Sequence, residues 1–233
     1  MQPRAYFIPF RSLDTLEKTD ILTERYASDA VTVLSGEWDF AYCKNVRALG
    51  GSFDTDTLPF DKVTVPSCWQ FTGYEPPYYV NTRYQFKPDP PHIPEDCSVG
   101  IYRRFFTADK KEHNTVSFLG VAGALDVYVN GQYVGYSEGS HNTAEFELDG
   151  YLVDGENELV AVVHKYSNGT YLECQDMFRN NGIFRDVLLY RTGANSLYDF
   201  ELKTAYHDGK YSLTVLPSLK LTGACVLTVT LPE

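Results

Sequence analysis

Short runs of strand-forming residues recur along most of this chain with turn residues between them, and this rhythm narrows the fold more than any other feature. Leu34–Tyr42 (LSGEWDFAY) places Trp38 and Phe40 on one face of a strand, because side chains alternate across the pleat. Ile101–Thr107 alternates Ile101, Arg103 and Phe105 against Tyr102, Arg104 and Phe106. Thr115–Leu119 is a short apolar run. Leu125, Val127 and Val129 share one face, opposite Asp126 and Tyr128; Asn130-Gly131 follows at once, and then Gln132–Tyr136. Asn-Gly tolerates the positive φ angles of a type I′ turn, so a tight hairpin is predicted there. Thr143–Leu148 alternates again. Glu158–Lys165 (ELVAVVHK) is nearly continuous in apolar residues, as a central strand buried on both faces requires. Ile183–Tyr190 is predicted as a further strand. Helical signals are few: Ser12–Thr23 is predicted as a short helix capped by Ser12.

Closely spaced strands without intervening helices mean a sandwich or barrel rather than βαβ units. The expected fold is all-β, with residues 1–193 forming a jelly-roll β-sandwich of galactose-binding type behind an N-terminal extension. After Arg191-Thr192-Gly193 the texture changes, and Leu197–Tyr206, Tyr211–Leu216 and Cys225–Leu231 are predicted as three strands. A full immunoglobulin-like domain needs about seven strands and about 100 residues. Residues 194–233 are therefore read as the start of an immunoglobulin-like sandwich. Two proline-rich stretches, Tyr74–Tyr79 (YEPPYY) and Lys87–Pro94 (KPDPPHIP), cannot donate ordinary ladder hydrogen bonds. They are expected as ordered loops or edge segments, where binding groups usually sit.

Composition excludes several partners. A formal charge of −11 over 233 residues lacks the basic footprint of a nucleic-acid binder and disfavours an anionic membrane surface. No stretch approaches the roughly 20 apolar residues of a membrane span, and MQPRAYFIPF has no signal-peptide pattern, so a cytoplasmic protein is expected. The five cysteines are widely spaced, without a CxxC or Cys/His cluster, and signal neither a disulfide framework nor a zinc site. The 15% aromatic content supplies rings for sugar stacking, although most rings in a β-sandwich fill the core.

Four stretches together carry a resemblance: Val65–Gln70 (VPSCWQ), Gly73–Asn81 (GYEPPYYVN), Val129–Tyr136 (VNGQYVGY) and Ser167–Val187 (SNGTYLECQDMFRNNGIFRDV). The chain resembles the N-terminal sugar-binding domain of glycoside hydrolase family 2, in its β-galactosidase branch, over roughly residues 34–193. The resemblance implies a modular retaining enzyme in which a jelly roll, an immunoglobulin-like sandwich and a TIM barrel follow one another. The two catalytic glutamates belong to the barrel, so no catalytic residue is expected in this chain. Retaining hydrolysis needs two carboxyls about 5–5.5 Å apart.

By the same resemblance Asn81 and Asp176 line the galactose pocket, and Asp176 is associated with a sodium ion. Sodium and magnesium are the ions expected of the full enzyme, with no cofactor in this portion. Its partners are then a β-galactoside and the catalytic barrel of the same polypeptide, with a homo-oligomer for the whole enzyme. An amide both donates and accepts, so Asn81 can read a hydroxyl by direction, whereas a carboxylate accepts only. A local turn role for Asn81 and an ion pair between Asp176 and Arg179 are the competing structural readings. Cys174, Phe178 and Val80 depart from the commoner family pattern of Asp, Trp and Thr. Two other functions remain open at this level: a stand-alone carbohydrate-binding module, and the corresponding portion of a β-glucuronidase or β-mannosidase.

Overall fold

The computed structural model describes residues 4–49, 54–81, 83–173 and 176–231. Its strands are β1 (Val31–Val33), β2 (Gly36–Cys43), β3 (Asp61–Val65), β4 (Tyr78–Val80), β5 (Val99–Ala108), β6 (His113–Phe118), β7 (Val121–Ala122) and β8 (Ala124–Val129). They continue as β9 (Gln132–Glu138), β10 (Ala144–Glu147), β11 (Gly155–His164), β12 (Met177–Arg179), β13 (Gly182–Ile183), β14 (Val187–Thr192), β15 (Ser196–His207) and β16 (Lys210–Lys220). Two compact units emerge: residues 32–110 with 114–189, and residues 1–31 with 111–113 and 190–233.

The larger unit is a β-sandwich. A six-stranded sheet runs β3-β2-β5-β11-β8-β9 and a four-stranded sheet runs β1-β14-β6-β10. Strand β11 lies at the heart of the first, antiparallel to β5 on one side and β8 on the other. Its two faces bury different clusters. Leu159, Ala161 and Val163 join Trp38, Phe40, Trp69, Tyr102 and the apolar faces of β6 and β14 in the main core. Val160 and Val162 join Ala41, Val99 and Ile101 in a second layer, capped by Val46, Leu49, Leu58 and Phe60 from the β2–β3 connection. The expected two-sided burial of this strand is therefore observed, and its continuous apolar run follows from it.

Local signals explain most elements. Asn130 and Gly131 have φ of 50° and 74°, the type I′ geometry that pairs β8 with β9. Ser12 caps helix α1 (Leu13–Lys18) by accepting a hydrogen bond from the Thr15 amide, but the helix ends short of the predicted Thr23. Two further expectations need correction. The predicted strand Ile183–Tyr190 is broken, because the Phe184 amide bonds the Gly120 carbonyl and the Leu119 amide bonds the Asp186 carbonyl, which turns the chain between β13 and β14. Residues 225–231, predicted as a strand, are irregular. Isolated extended backbone gains no ladder bonds, and among the described residues nothing pairs with this segment.

The smaller unit holds the long antiparallel hairpin β15–β16, which turns through Asp208 and Gly209, both at positive φ. Within it the Ala5 amide donates to Asp199 at 2.8 Å and Phe7 packs on Phe200 with ring centroids 5.7 Å apart. No helix among the described residues is long and apolar enough to cross a membrane.

Candidate functional site

The two motif-rich loops meet in a short ribbon. β4 and β12 are antiparallel, with Val80 opposite Met177, Phe178 opposite Tyr79 and Arg179 opposite Tyr78. Asn81 follows Val80 directly and Asp176 precedes Met177 directly, so the two stand at the same end of the ribbon, just outside its paired residues. Alternation across the strands gives the opposed Tyr79 and Phe178 to one face of the ribbon. That face is open: Tyr79 is 57% and Phe178 55% exposed, and their rings meet edge to face at 5.6 Å. The Tyr79 hydroxyl donates to the Asp176 carboxylate across 97 residues of sequence. This bond, with slight desolvation, raises the phenol above its ordinary 10.0. Asn81 and Asp176, the two predicted site residues, thus stand at one end of the same ribbon. Cys174 lies outside the described residues.

The base of the ribbon is polar and buried. Glu75 and Lys165 form an ion pair at 2.8 Å with side chains only 11% and 13% exposed. The Glu75 carboxylate also accepts from Tyr42 Oη at 2.5 Å, Ser98 Oγ at 2.6 Å and Gln70 Nε2 at 3.3 Å. Burial pushes the Glu75 carboxyl up, but the bonds from Lys165, Ser98 and Tyr42 outweigh it and hold it below the usual 4.5. Lys165 is the mirror case: burial lowers it, and Glu75 brings it above 10.5. Gln70 reaches across to the other loop, donating to Asn181 Oδ1 at 3.1 Å and accepting from the Asn181 amide at 2.8 Å. Asn181 Nδ2 then bonds the Lys165 carbonyl at 3.0 Å. Much of the recognised sequence therefore serves structure. In VPSCWQ, Trp69 fills the core and Gln70 ties the loops together.

Beside this base β12 lines a cavity of about 190 Å³. Tyr84, Phe86 and Tyr166 form part of its wall, with Phe86 and Tyr166 edge to face at 4.8 Å. Asn81 and Asp176 do not line it. The segment that follows β4 is moored there: Tyr84 Oη donates to the Tyr171 carbonyl at 2.8 Å, and Tyr171 Oη donates to the His92 carbonyl at 2.6 Å. Glu173 holds the far rim, accepting from the Ser140 amide and hydroxyl, each at 2.7 Å. Among the described residues no group of three or more His, Cys, Asp or Glu side chains could hold a metal ion. Asp176 and Asn81 offer oxygens of the kind a hard cation takes, but two residues do not fill the six or more oxygen positions typical of such ions.

The motif resemblance names Asn81 and Asp176 as site residues and passes over Glu75, Lys165, Gln70 and Asn181. A glutamate between an aromatic and two prolines, and a lysine closing a buried apolar strand, were the available signals. Either is costly to bury alone, which is a reason to expect a partner.

Fold and site together define an all-β sandwich module carrying a polar, aromatic loop ribbon. The chain belongs to glycosyl hydrolases family 2, whose sugar binding domain matches residues 31–193. It is 40% identical to a β-galactosidase of Actinobacillus pleuropneumoniae over 209 residues, covering 89% of this chain and 20% of that protein. It is 42% identical to a β-galactosidase of Vibrio cholerae over 177 residues, 73% of this chain and 17% of the relative. The chain thus spans about a fifth of the length of these relatives. Among solved structures, a β-glucuronidase from Ruminococcus gnavus matches with a TM-score of 0.64 at 17% identity, over 83% of this chain and 33% of that one. A β-D-mannosidase from Dictyoglomus thermophilum matches at 0.55 and 19% identity, over 82% and 26%. At these identities the structural likeness is one of fold.

Proposed function

We propose that this chain is the sugar-binding portion of a retaining β-galactosidase, and that Asn81 and Asp176 hold a terminal β-D-galactoside in a pocket completed by a TIM barrel of the same polypeptide. The observation that supports the reading is the β4–β12 ladder, at one end of which Asn81 and Asp176 stand although their loops are far apart in sequence. The relatives named β-galactosidase, at about 40% identity, support this substrate over a glucuronide or a mannoside, whose named enzymes share only the fold. In this reading Asn81 reads a hydroxyl by direction, Asp176 accepts from sugar hydroxyls, and Tyr79 holds the carboxylate in place. Asp176 would also give one oxygen to a sodium ion whose other ligands come from outside the described residues. Residues 1–193 act as the jelly-roll domain, and 194–233 open an immunoglobulin-like sandwich. Cytoplasmic placement belongs to the same proposal, supported by free thiols at Cys43, Cys68, Cys97 and Cys225. So does homo-oligomerisation of the whole enzyme.

The test is made in the intact enzyme with nitrophenyl β-galactoside. A hydrogen bond to a charged group contributes about 1.5–3 kcal/mol, so Asp176→Ala should lower kcat/KM by about 10–100-fold for each such bond lost. Near-normal turnover would remove Asp176 from the pocket. A second reading, a self-sufficient carbohydrate-binding module, draws on the exposed rings of Tyr78, Tyr79 and Phe178. Calorimetric binding of galactosides to this chain alone would favour it, and silence would favour the enzyme.

A further inference from the structure

We propose that the buried Glu75–Lys165 pair is a positioning device that fixes the geometry of the sugar-binding ribbon. This rests on the reading of Asn81 and Asp176 given above. Glu75 lies three residues before β4 and six before Asn81 in sequence. Four donors converge on its carboxylate: Tyr42 from β2, Ser98 at the entry to β5, Gln70 from the preceding loop and Lys165 at the exit of β11. Three of these stand on or beside central strands of the six-stranded sheet. The carboxylate therefore ties the root of β4 to the rigid part of the sandwich.

The other strand of the ribbon is rooted in the same network. Gln70 bonds Glu75 with its amide nitrogen and grips Asn181 through two bonds, and Asn181 closes the circuit on the Lys165 carbonyl. Asn181 follows β12 by two residues. Lys165 also lies 5.9 Å from the centroid of the Tyr78 ring, on β4 itself. The start of β4 and the end of β12 are thus rooted in one buried polar circuit. A shift at Glu75 moves Asn81 and Asp176 relative to each other and to the rest of the pocket. A purely structural ion pair has no need to join the two loops that carry the site. Arg103 with Asp39 is such a pair: its side chains are 17% and 16% exposed, and it links neighbouring strands β2 and β5.

The experiment uses the intact enzyme and reads kcat and KM on nitrophenyl β-galactoside, with the inhibition constant of a non-hydrolysed thiogalactoside, at a temperature where each variant is folded. Glu75→Gln is expected to lose roughly 10–100-fold in kcat/KM and to weaken the thiogalactoside, since small misplacements of binding groups carry costs of that order. Asp39→Asn, which breaks the comparison pair, is expected to stay within about two-fold while lowering thermal stability. If Glu75→Gln does not fold, Tyr42→Phe combined with Ser98→Ala removes two of the bonds without stranding a charge, and the same expectation applies. Should Asn81→Ala and Asp176→Ala lose activity while the Glu75 variant falls no further than Asp39→Asn, the positioning role is overturned and the pocket reading stands. Should Asn81→Ala and Asp176→Ala be near normal, the pocket reading fails and the positioning role with it.

Discussion

At the scale of single residues, Glu75 is a largely buried carboxylate whose proton is coupled to folding. Its carboxyl is held below the ordinary 4.5 in the folded protein. The unfolded chain therefore binds its proton at higher pH than the folded chain. The resulting stabilisation is complete above 4.5 and declines as the pH falls through the lower folded value. Urea unfolding of this chain across that range should show an acid limb that Glu75→Gln flattens; an unchanged limb would mean that other carboxylates set it. Removing the partner is more damaging. Lys165→Met should destabilise by about 3 kcal/mol, because a carboxylate is left in a largely buried place. Gly182 is a second case. Its φ is +129°, and a β-carbon there would lie 2.8 Å from the Tyr102 hydroxyl and 2.9 Å from the Ser67 carbonyl. Gly182→Ala combines a left-handed backbone with overpacking, and should cost about 2–4 kcal/mol in denaturant unfolding. The motif resemblance names Asn81 and Asp176 because both fall in contiguous stretches. The roles of Glu75 and Gly182 were not legible in this way, because each is defined by partners spread across the chain.

At the scale of elements, burial ranks the strands. β11 is paired on both edges and covered on both faces, whereas most of β15 and β16 is exposed. Amide exchange followed by mass spectrometry should find β11 and β5 slowest and the β15–β16 hairpin fastest, since exchange follows local opening. Equal protection of the two would contradict this ranking. Periodicity revealed β2, β5, β8, β9 and β11 almost to their ends, because alternation and the Asn-Gly turn act locally. It missed the break between β13 and β14, where the Gly120 carbonyl and the Leu119 amide take the bonds of the intervening residues. It also assigned a strand to residues 225–231, whose propensity finds no partner.

At the scale of the whole molecule, the proposed function puts both catalytic carboxyls outside this chain, so the chain alone should not hydrolyse nitrophenyl β-galactoside. Measurable turnover by the purified chain would overturn that assignment. The hairpin also exposes Leu202, Tyr206, Tyr211 and Leu216. Exposed apolar strands with open edges tend to pair with another chain, so concentration-dependent association is expected in light scattering, and a Leu202→Lys/Leu216→Lys variant should reduce it.

The sequence by itself determined the all-β class, the central buried strand, the tight hairpin and the family, because each depends on spacings of a few residues or on a contiguous motif. Only the tertiary structure decided that Asn81 and Asp176 stand at one end of the same ribbon, and that a buried carboxylate, a lysine and two amides root both of its strands. Those relations join side chains distant in sequence, and the Glu75–Lys165 pairing is enforced because either charge left alone in that buried place would be costly. Local sequence carries no record of that pairing until the sheets have closed around it.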